Sequence, residues 1–262
     1  MSKIIAIVNQ KGGVGKTITA LNISAGLAKV GMKVLAIDLD PQGNLSDYLG
    51  YVPDGKPTIS EVIFQEVSGV RTDSFDFIRR NSEEKIDYIP ANKLLAGMVS
   101  ILGSDNDSQE VIKRILSREP FTSYDYIILD CKPSLDLLVC NALATSNSLV
   151  IPVQAELFSY NAVAEVMQTI AKMKSSANPD LNIAGILVTM FRKQTSLSNE
   201  VLEALNESYP GLVFDNQISF LSEAGKSTCT HSSLINLKGS RIGQEYLSVV
   251  EQLIAKDGAN NG

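Results

Sequence analysis

Residues 11–17 read Lys-Gly-Gly-Val-Gly-Lys-Thr, and no other stretch limits so strongly what this chain can fold into. Glycines at this spacing let backbone N–H groups curl around a polyphosphate, and the closing lysine reaches its outer phosphates. The motif requires a strand before it and a helix after it, with the helix N-terminus aimed at the anion. Both are present. Ile4–Val8 is a short apolar run of buried-strand type, and Thr17–Val30 carries Leu21, Ala25 and Ala28 on one helical face. Lys16 and Thr17 take the positions that meet the β/γ-phosphates and a Mg²⁺ ion. Lys11 is a second cation at the start of the loop, where an ordinary loop of this kind needs none. Pointed away from its own nucleotide it reaches that of a neighbouring copy, which predicts a nucleotide-dependent dimer.

The rest of the chain alternates strand and helix patterns without repeats or low-complexity stretches. Apolar strands are expected at Val34–Ile37, Ile86–Ile89, Tyr126–Leu129, Leu149–Val153 and Ile183–Thr189, with a short last one at Leu212–Phe214. Helices are expected at Thr58–Phe64, Asn92–Leu102, Ser108–Ser117, Ser134–Ala144, Asn161–Lys174, Leu197–Glu207 and Ile242–Ala255. Strands alternating with helices predict a single-domain α/β P-loop fold, its mostly parallel twisted sheet covered by helices on both faces. No Pro/Gly/Ser linker divides the chain, so residues 1–256 read as one domain and 257–262 as a frayed polar tail.

Composition removes several alternatives. The 262 residues suffice for one full core, and the apolar and charged shares of 44% and 20% are those of an ordinary globule. No apolar run approaches the ~18 residues that span a bilayer, and the first strand follows Met1-Ser2-Lys3 directly, so a cytoplasmic protein is expected. Cys131, Cys140 and Cys229 share no metal-ligand or redox spacing. His231 is the only histidine, which argues against a Ser-His-Asp or Cys-His engine and against a His-based zinc site. With a net charge of −6, any contact with nucleic acid has to come from a local basic patch.

Two acidic strand ends complete the chemistry. Strand 2 runs into Asp38-Leu39-Asp40-Pro41-Gln42-Gly43-Asn44, placing carboxylates where open α/β sheets bind ligands. Alternation aims Asp38 and Asp40 to the same side. Asp38 is placed to hold Mg²⁺ through water, and Asp40 to orient the attacking water. Ile127-Ile128-Leu129-Asp130 is a Walker B pattern that supplies a further metal-side carboxylate. Thr17, Asp38 and Asp130 are therefore the metal set, and Lys11, Lys16 and Asp40 the catalytic set. Lys11, Gly12, Gly13, Val14, Gly15, Lys16, Thr17, Ile18 and Met190 are the expected nucleotide-binding set. Cys131-Lys132-Pro133-Ser134 forms a loop beside the γ-phosphate, suited to sensing hydrolysis.

These motifs together resemble the deviant Walker ATPases of the ParA/Soj branch. The similarity extends to Ile151-Pro152-Val153-Gln154-Ala155-Glu156 and to Gly185-Ile186-Leu187-Val188-Thr189-Met190-Phe191, and runs from about residue 3 to 200. The resemblance implies an ATP sandwich homodimer in which Lys11 crosses to the partner's phosphates. It implies slow, Mg²⁺-dependent hydrolysis of ATP to ADP, stimulated by a ParB-like partner. It also implies non-specific binding of double-stranded DNA by the ATP dimer, association with the nucleoid, and partition of a plasmid or chromosome.

Three positions depart from that pattern. Ile18 replaces a second hydroxyl residue after the loop lysine, and Lys132 replaces a proline of the Asp-x-Pro-Pro sequence. Gln194 stands where the family has an arginine, and the Ile-Pro-Arg stretch is altered at Gln217–Ala224. Arg192, Lys193, Lys226, Lys238 and Arg241 are the residues left to form a DNA-binding patch. An alternative is a switch of the MinD type that positions a protein cargo. MinD-like proteins end in a basic amphipathic helix that folds on anionic lipid, whereas residues 253–262 are short and nearly neutral, so no membrane partner is expected.

Overall fold

The computed structural model describes residues 2–70, 74–156, 159–221 and 230–259. Seven strands form one sheet: β1 (Lys3–Ile7), β2 (Val34–Leu39), β3 (Arg79–Asn81), β4 (Ile86–Ile89), β5 (Tyr126–Cys131), β6 (Ser148–Gln154) and β7 (Asn182–Thr189), in the order β3-β4-β2-β5-β1-β6-β7. All neighbours are parallel except the edge pair β3–β4. Every residue of β2 and β5 is buried, as expected of central parallel strands with both faces covered.

Strand alternation divides the interior into two layers. Ile5, Ile7, Val34 and Ala36 face α1 (Lys16–Lys29), α2 (Asn44–Tyr48) and the closing helix α9 (Arg241–Ala259). Ala6, Val8, Leu35 and Ile37 face the other way, toward α3 (Ile59–Val67), α4 (Met98–Gly103), α5 (Val111–Leu116), α6 (Leu137–Thr145), α7 (Ser159–Ser175) and α8 (Ser196–Ser208). The first layer is tight. A Cβ on Gly26 of α1 would stand 2.7 Å from Val250 of α9, so the two helices cross where α1 has no side chain.

The structure corrects the expected boundaries where local cues outweigh periodicity. The stretch 92–102 divides at Gly97 into a 3₁₀ turn, Lys93–Gly97, and α4. Helix α6 starts at Leu137 rather than Ser134, because the Asp136 carboxylate caps it by accepting from the Leu138 and Val139 amides. Residues 212–214 contribute one bridge, Val213 to Ile186, rather than a strand. The polar edge strand β3 and the five-residue α2 carry no apolar signal and were not expected. Residue 257 was assigned to a frayed tail, yet it lies inside α9. Asp257 is 7% exposed, ion-paired to Lys3 at 2.7 Å and accepting from the Tyr126 hydroxyl at 3.0 Å.

Helix α9 passes closest to the chain at Gly243, where a Cβ would meet the Leu234 carbonyl oxygen at 2.2 Å. Backbone cannot yield as a flexible side chain can, so Gly243→Ala is expected to cost about 2 kcal/mol or more. Chemical denaturation measures this directly, and an unchanged midpoint would contradict the packing.

Candidate nucleotide site

The loop between β1 and α1 takes its shape from its glycines. Gly13 and Gly15 have φ of 75° and 84°, a left-handed conformation that side chains resist, and open space lies beside the Cα of Gly12 and Gly13. Val14 points into the protein, and its carbonyl accepts from the Thr189 hydroxyl at 2.9 Å, tying the loop to the end of β7. Gly15 caps α1 without a side chain, leaving the first-turn amides of Lys16, Thr17 and Ile18 to meet an anion. Lys16 is buried, and its ammonium donates to the Lys11 carbonyl at 2.9 Å. Burial pushes the lysine's pKa down, opposed by Asp130, Cys131 and Asp40.

Gly12, Gly13, Gly15, Lys16 and Thr17 line a cavity of about 640 Å³ that also takes in Ile18, Asp40, Pro133, Met190 and His231. Beneath it, Asp38 and Asp130 are register partners on β2 and β5, each 1% exposed. Asp38 is already engaged. One oxygen accepts from the Asp40 amide at 3.0 Å, and the other from the Ser46 amide and hydroxyl at 2.8 and 2.7 Å. It thereby fixes the turn that presents Asp40, whose own carboxylate accepts from the Gln42 amide at 2.9 Å. Among the described residues neither oxygen of Asp130 has a partner at hydrogen-bond geometry, the Thr17 hydroxyl being the group that acts on it from the loop. Burial raises the Asp38 pKa to about 6, and burial together with Asp38 holds Asp130 well above the carboxylate range.

A dry carboxylate with both oxygens orphaned, beside a threonine hydroxyl and a phosphate loop, fits the surroundings of a hydrated Mg²⁺ ion. No group of three or more His, Cys, Asp or Glu able to hold a metal occurs among the described residues, so nucleotide oxygens have to complete the coordination. Lys11 opens the loop, next to the Gly12 that lines the cavity. Its amide donates to Asn9 at 2.9 Å, and its ammonium pairs with Glu156 at 2.8 Å in a largely exposed ion pair. Lys132 is not a free charge beside the sensor loop, because it pairs with Asp136.

The candidate DNA residues fall into two places, with Lys226 outside the described residues. Arg192 and Lys193 follow β7, and the Arg192 guanidinium lies 4.1 Å from the Phe220 ring centroid. Lys238 and Arg241 lie at the start of α9, where Arg241 pairs with Glu245 at 3.0 Å. Glu245 also accepts from the Ser219 amide at 2.7 Å, so the 218–220 segment links the two places. Sequence reasoning missed Asn9, Ser46, Thr189 and Glu156 as supports of the site. Single polar residues at strand ends carry no periodic signal, and their partners are distant in sequence.

This fold and site define a P-loop ATPase with a second loop lysine. The AAA domain family matches residues 2–183. The chain is 37% identical to the sporulation initiation inhibitor protein Soj of Bacillus subtilis, over 97% of this chain and 99% of that one. It is 34% identical to the chromosome-partitioning ATPase Soj of Treponema pallidum, over 98% and 99% of the two chains. Among solved structures, cobyrinic acid a,c-diamide synthase of Mycobacterium smegmatis, with bound ADP and magnesium, superimposes with a TM-score of 0.84 at 29% identity, covering 99% of this chain and 97% of that one. McdA of Cyanothece in complex with ATP shares the fold at a TM-score of 0.84 and 22% identity, covering 97% and 96% of the chains. The chain belongs to the Soj/ParA family of ATPases. ATP or ADP and Mg²⁺ are its cofactors.

Because Asp38 and Asp130 take up protons more readily folded than unfolded, the protein without nucleotide should lose stability as pH rises from about 4 through 6 and beyond. Asp130→Asn removes one buried charge. It is expected to raise stability at pH 8 and to flatten the profile. Thermal melts across pH test this, and a variant less stable than the parent at pH 8 would refute it.

Proposed function

We propose that this protein is an ATP-dependent dimerising switch that drives partition of DNA. The observation that carries the reading is Lys11 at the start of the loop, next to the Gly12 that lines the nucleotide cavity, with its ammonium in an exposed pair with Glu156. Exposed ion pairs contribute roughly 0–1 kcal/mol. Exchanging Glu156 for the phosphates of a second copy therefore costs little and gains charge-assisted hydrogen bonds. Both named Soj relatives agree with this reading, one of them being called a chromosome-partitioning ATPase.

Within each copy the glycine loop and the α1 amides orient the triphosphate, and Lys16 reaches its outer phosphates. Asp40, fixed by Asp38 and by the Gln42 amide, orients the attacking water. Thr17, Asp38 and Asp130 would hold Mg²⁺, which would supply neutralisation of the phosphate charge that develops in the transition state. Hydrolysis removes the γ-phosphate contacts that favour the dimer, so the population returns to monomer. A ParB-like protein is the expected stimulating partner. Arg192, Lys193, Lys238 and Arg241 would supply a DNA surface when two copies meet. A synthase reading, suggested by the name of the Mycobacterium smegmatis relative, needs a second substrate facing the γ-phosphate. A second cavity of about 580 Å³ is lined by Lys3, Ser148 and Asn182, at the opposite end of the strands.

Lys11→Ala should abolish ATP-dependent dimerisation while leaving nucleotide binding within about threefold, and Lys16→Ala should lose binding itself. Light scattering and nucleotide titration separate the two; identical behaviour would remove the special role of Lys11. The Asp40→Ala protein should accumulate as an ATP dimer that binds an arbitrary duplex with ATP and not with ADP. That binding should weaken steeply with salt. An intact dimer that ignores DNA at low salt would redirect the search to a protein cargo.

A further inference from the structure

The nucleotide cavity holds side chains that neither the phosphates nor the metal explains, and His231 is the titratable ring among them. His231 lies on its rim, and its backbone sits at φ 49°, in the left-handed region that a histidine enters only when its surroundings impose it. Those surroundings are well defined. The Glu84 carboxylate, 3% exposed, accepts from the Ser233 amide and hydroxyl at 2.7 Å each and from the Asn236 amide at 2.7 Å. The Ile235 amide donates to Asn22 of α1 at 3.2 Å. Residues 233–236 are thus strapped to the β3–β4 turn and to the helix that follows the phosphate loop.

The imidazole is also oriented. Its Nδ1 lies 2.7 Å from the Asp47 carbonyl oxygen. A carbonyl only accepts, so Nδ1 carries a proton, and on the tautomer with one ring proton Nε2 is left as an acceptor. That tautomer matches a donor on the ligand, and the donors of a nucleotide lie in its nucleoside half. The glycine loop accounts for the phosphates. An apolar recess of about 90 Å³ that includes Ile18, Met190, Ile218 and Phe220 offers the base a surface beside the loop. The sugar is the part that remains.

We infer that His231 is a specificity-determining residue whose Nε2 accepts a hydrogen bond from a ribose hydroxyl of the bound nucleotide. This rests on the ATP-binding site and extends it to recognition of the sugar. The strap from Glu84 holds the acceptor in place before the ligand arrives, which lowers the ordering cost of the contact.

The test uses His231→Asn. The asparagine amide takes the place of Nδ1 toward Asp47, and asparagine tolerates a positive φ, so the variant removes Nε2 with the least disturbance. Affinities of parent and variant are measured for Mg²⁺ complexes of ATP, 2′-deoxy-ATP, 3′-deoxy-ATP and inosine triphosphate. The parent should bind ATP about three- to tenfold more tightly than one of the deoxynucleotides, as expected for one net hydrogen bond. The variant should lose that preference by weakening for ATP alone. Unchanged sugar preference in the variant, or none in the parent, would overturn the inference. A preference lost for inosine triphosphate in place of the deoxynucleotides would assign Nε2 to the base and overturn it as well. Failure of the parent to bind any of the four would instead overturn the nucleotide site, a distinct result.

Discussion

Asp38 and Asp130 stand side by side because β2 and β5 pair in parallel register, and two buried carboxylates in contact are costly in the absence of a cation. The surrounding site follows from that constraint. One carboxylate is satisfied internally, by Ser46 and the Asp40 amide, and so becomes part of the scaffold. The other is left with orphaned oxygens at the floor of the phosphate cavity. Lys16 compensates part of the negative charge at the expense of its own solvation. The protein without ligand therefore carries an electrostatic tension that Mg²⁺ and nucleotide relieve together.

Much of this was legible in the chain. The glycine loop, the flanking strand and helix and the two acidic strand ends each obey a rule that acts within a few residues, and the structure sets Lys16, Thr17 and Asp40 around one cavity with Asp130 near them. What escaped was decided by tertiary contacts. Arg79 of the edge strand is fixed by Asp54 and by the Pro57 carbonyl, neither of which marks a strand in sequence. Asp257 reads as tail by composition and becomes core because Lys3 and Tyr126 need a partner. The engagement of Asp38 by Ser46 was equally hidden, because Ser46 carries no signal of its own.

The same division clarifies how the site is supported. Parts that touch phosphate come from short local motifs, while parts that hold those motifs come from distant segments: Thr189 of β7 for Val14, Pro152 of β6 for Asn9, and Glu156 for Lys11. Of the altered positions, Gln194 lies outside this support, whereas Ile218 and Phe220 line the recess beside the loop.

The ion pair between Lys3 and Asp257 has a practical consequence. It fastens the beginning of β1 to the end of α9, at the end of the strands remote from the glycine loop. A fluorescent label attached beside this pair would therefore sit at the end of the strands away from the nucleotide cavity and leave that cavity open.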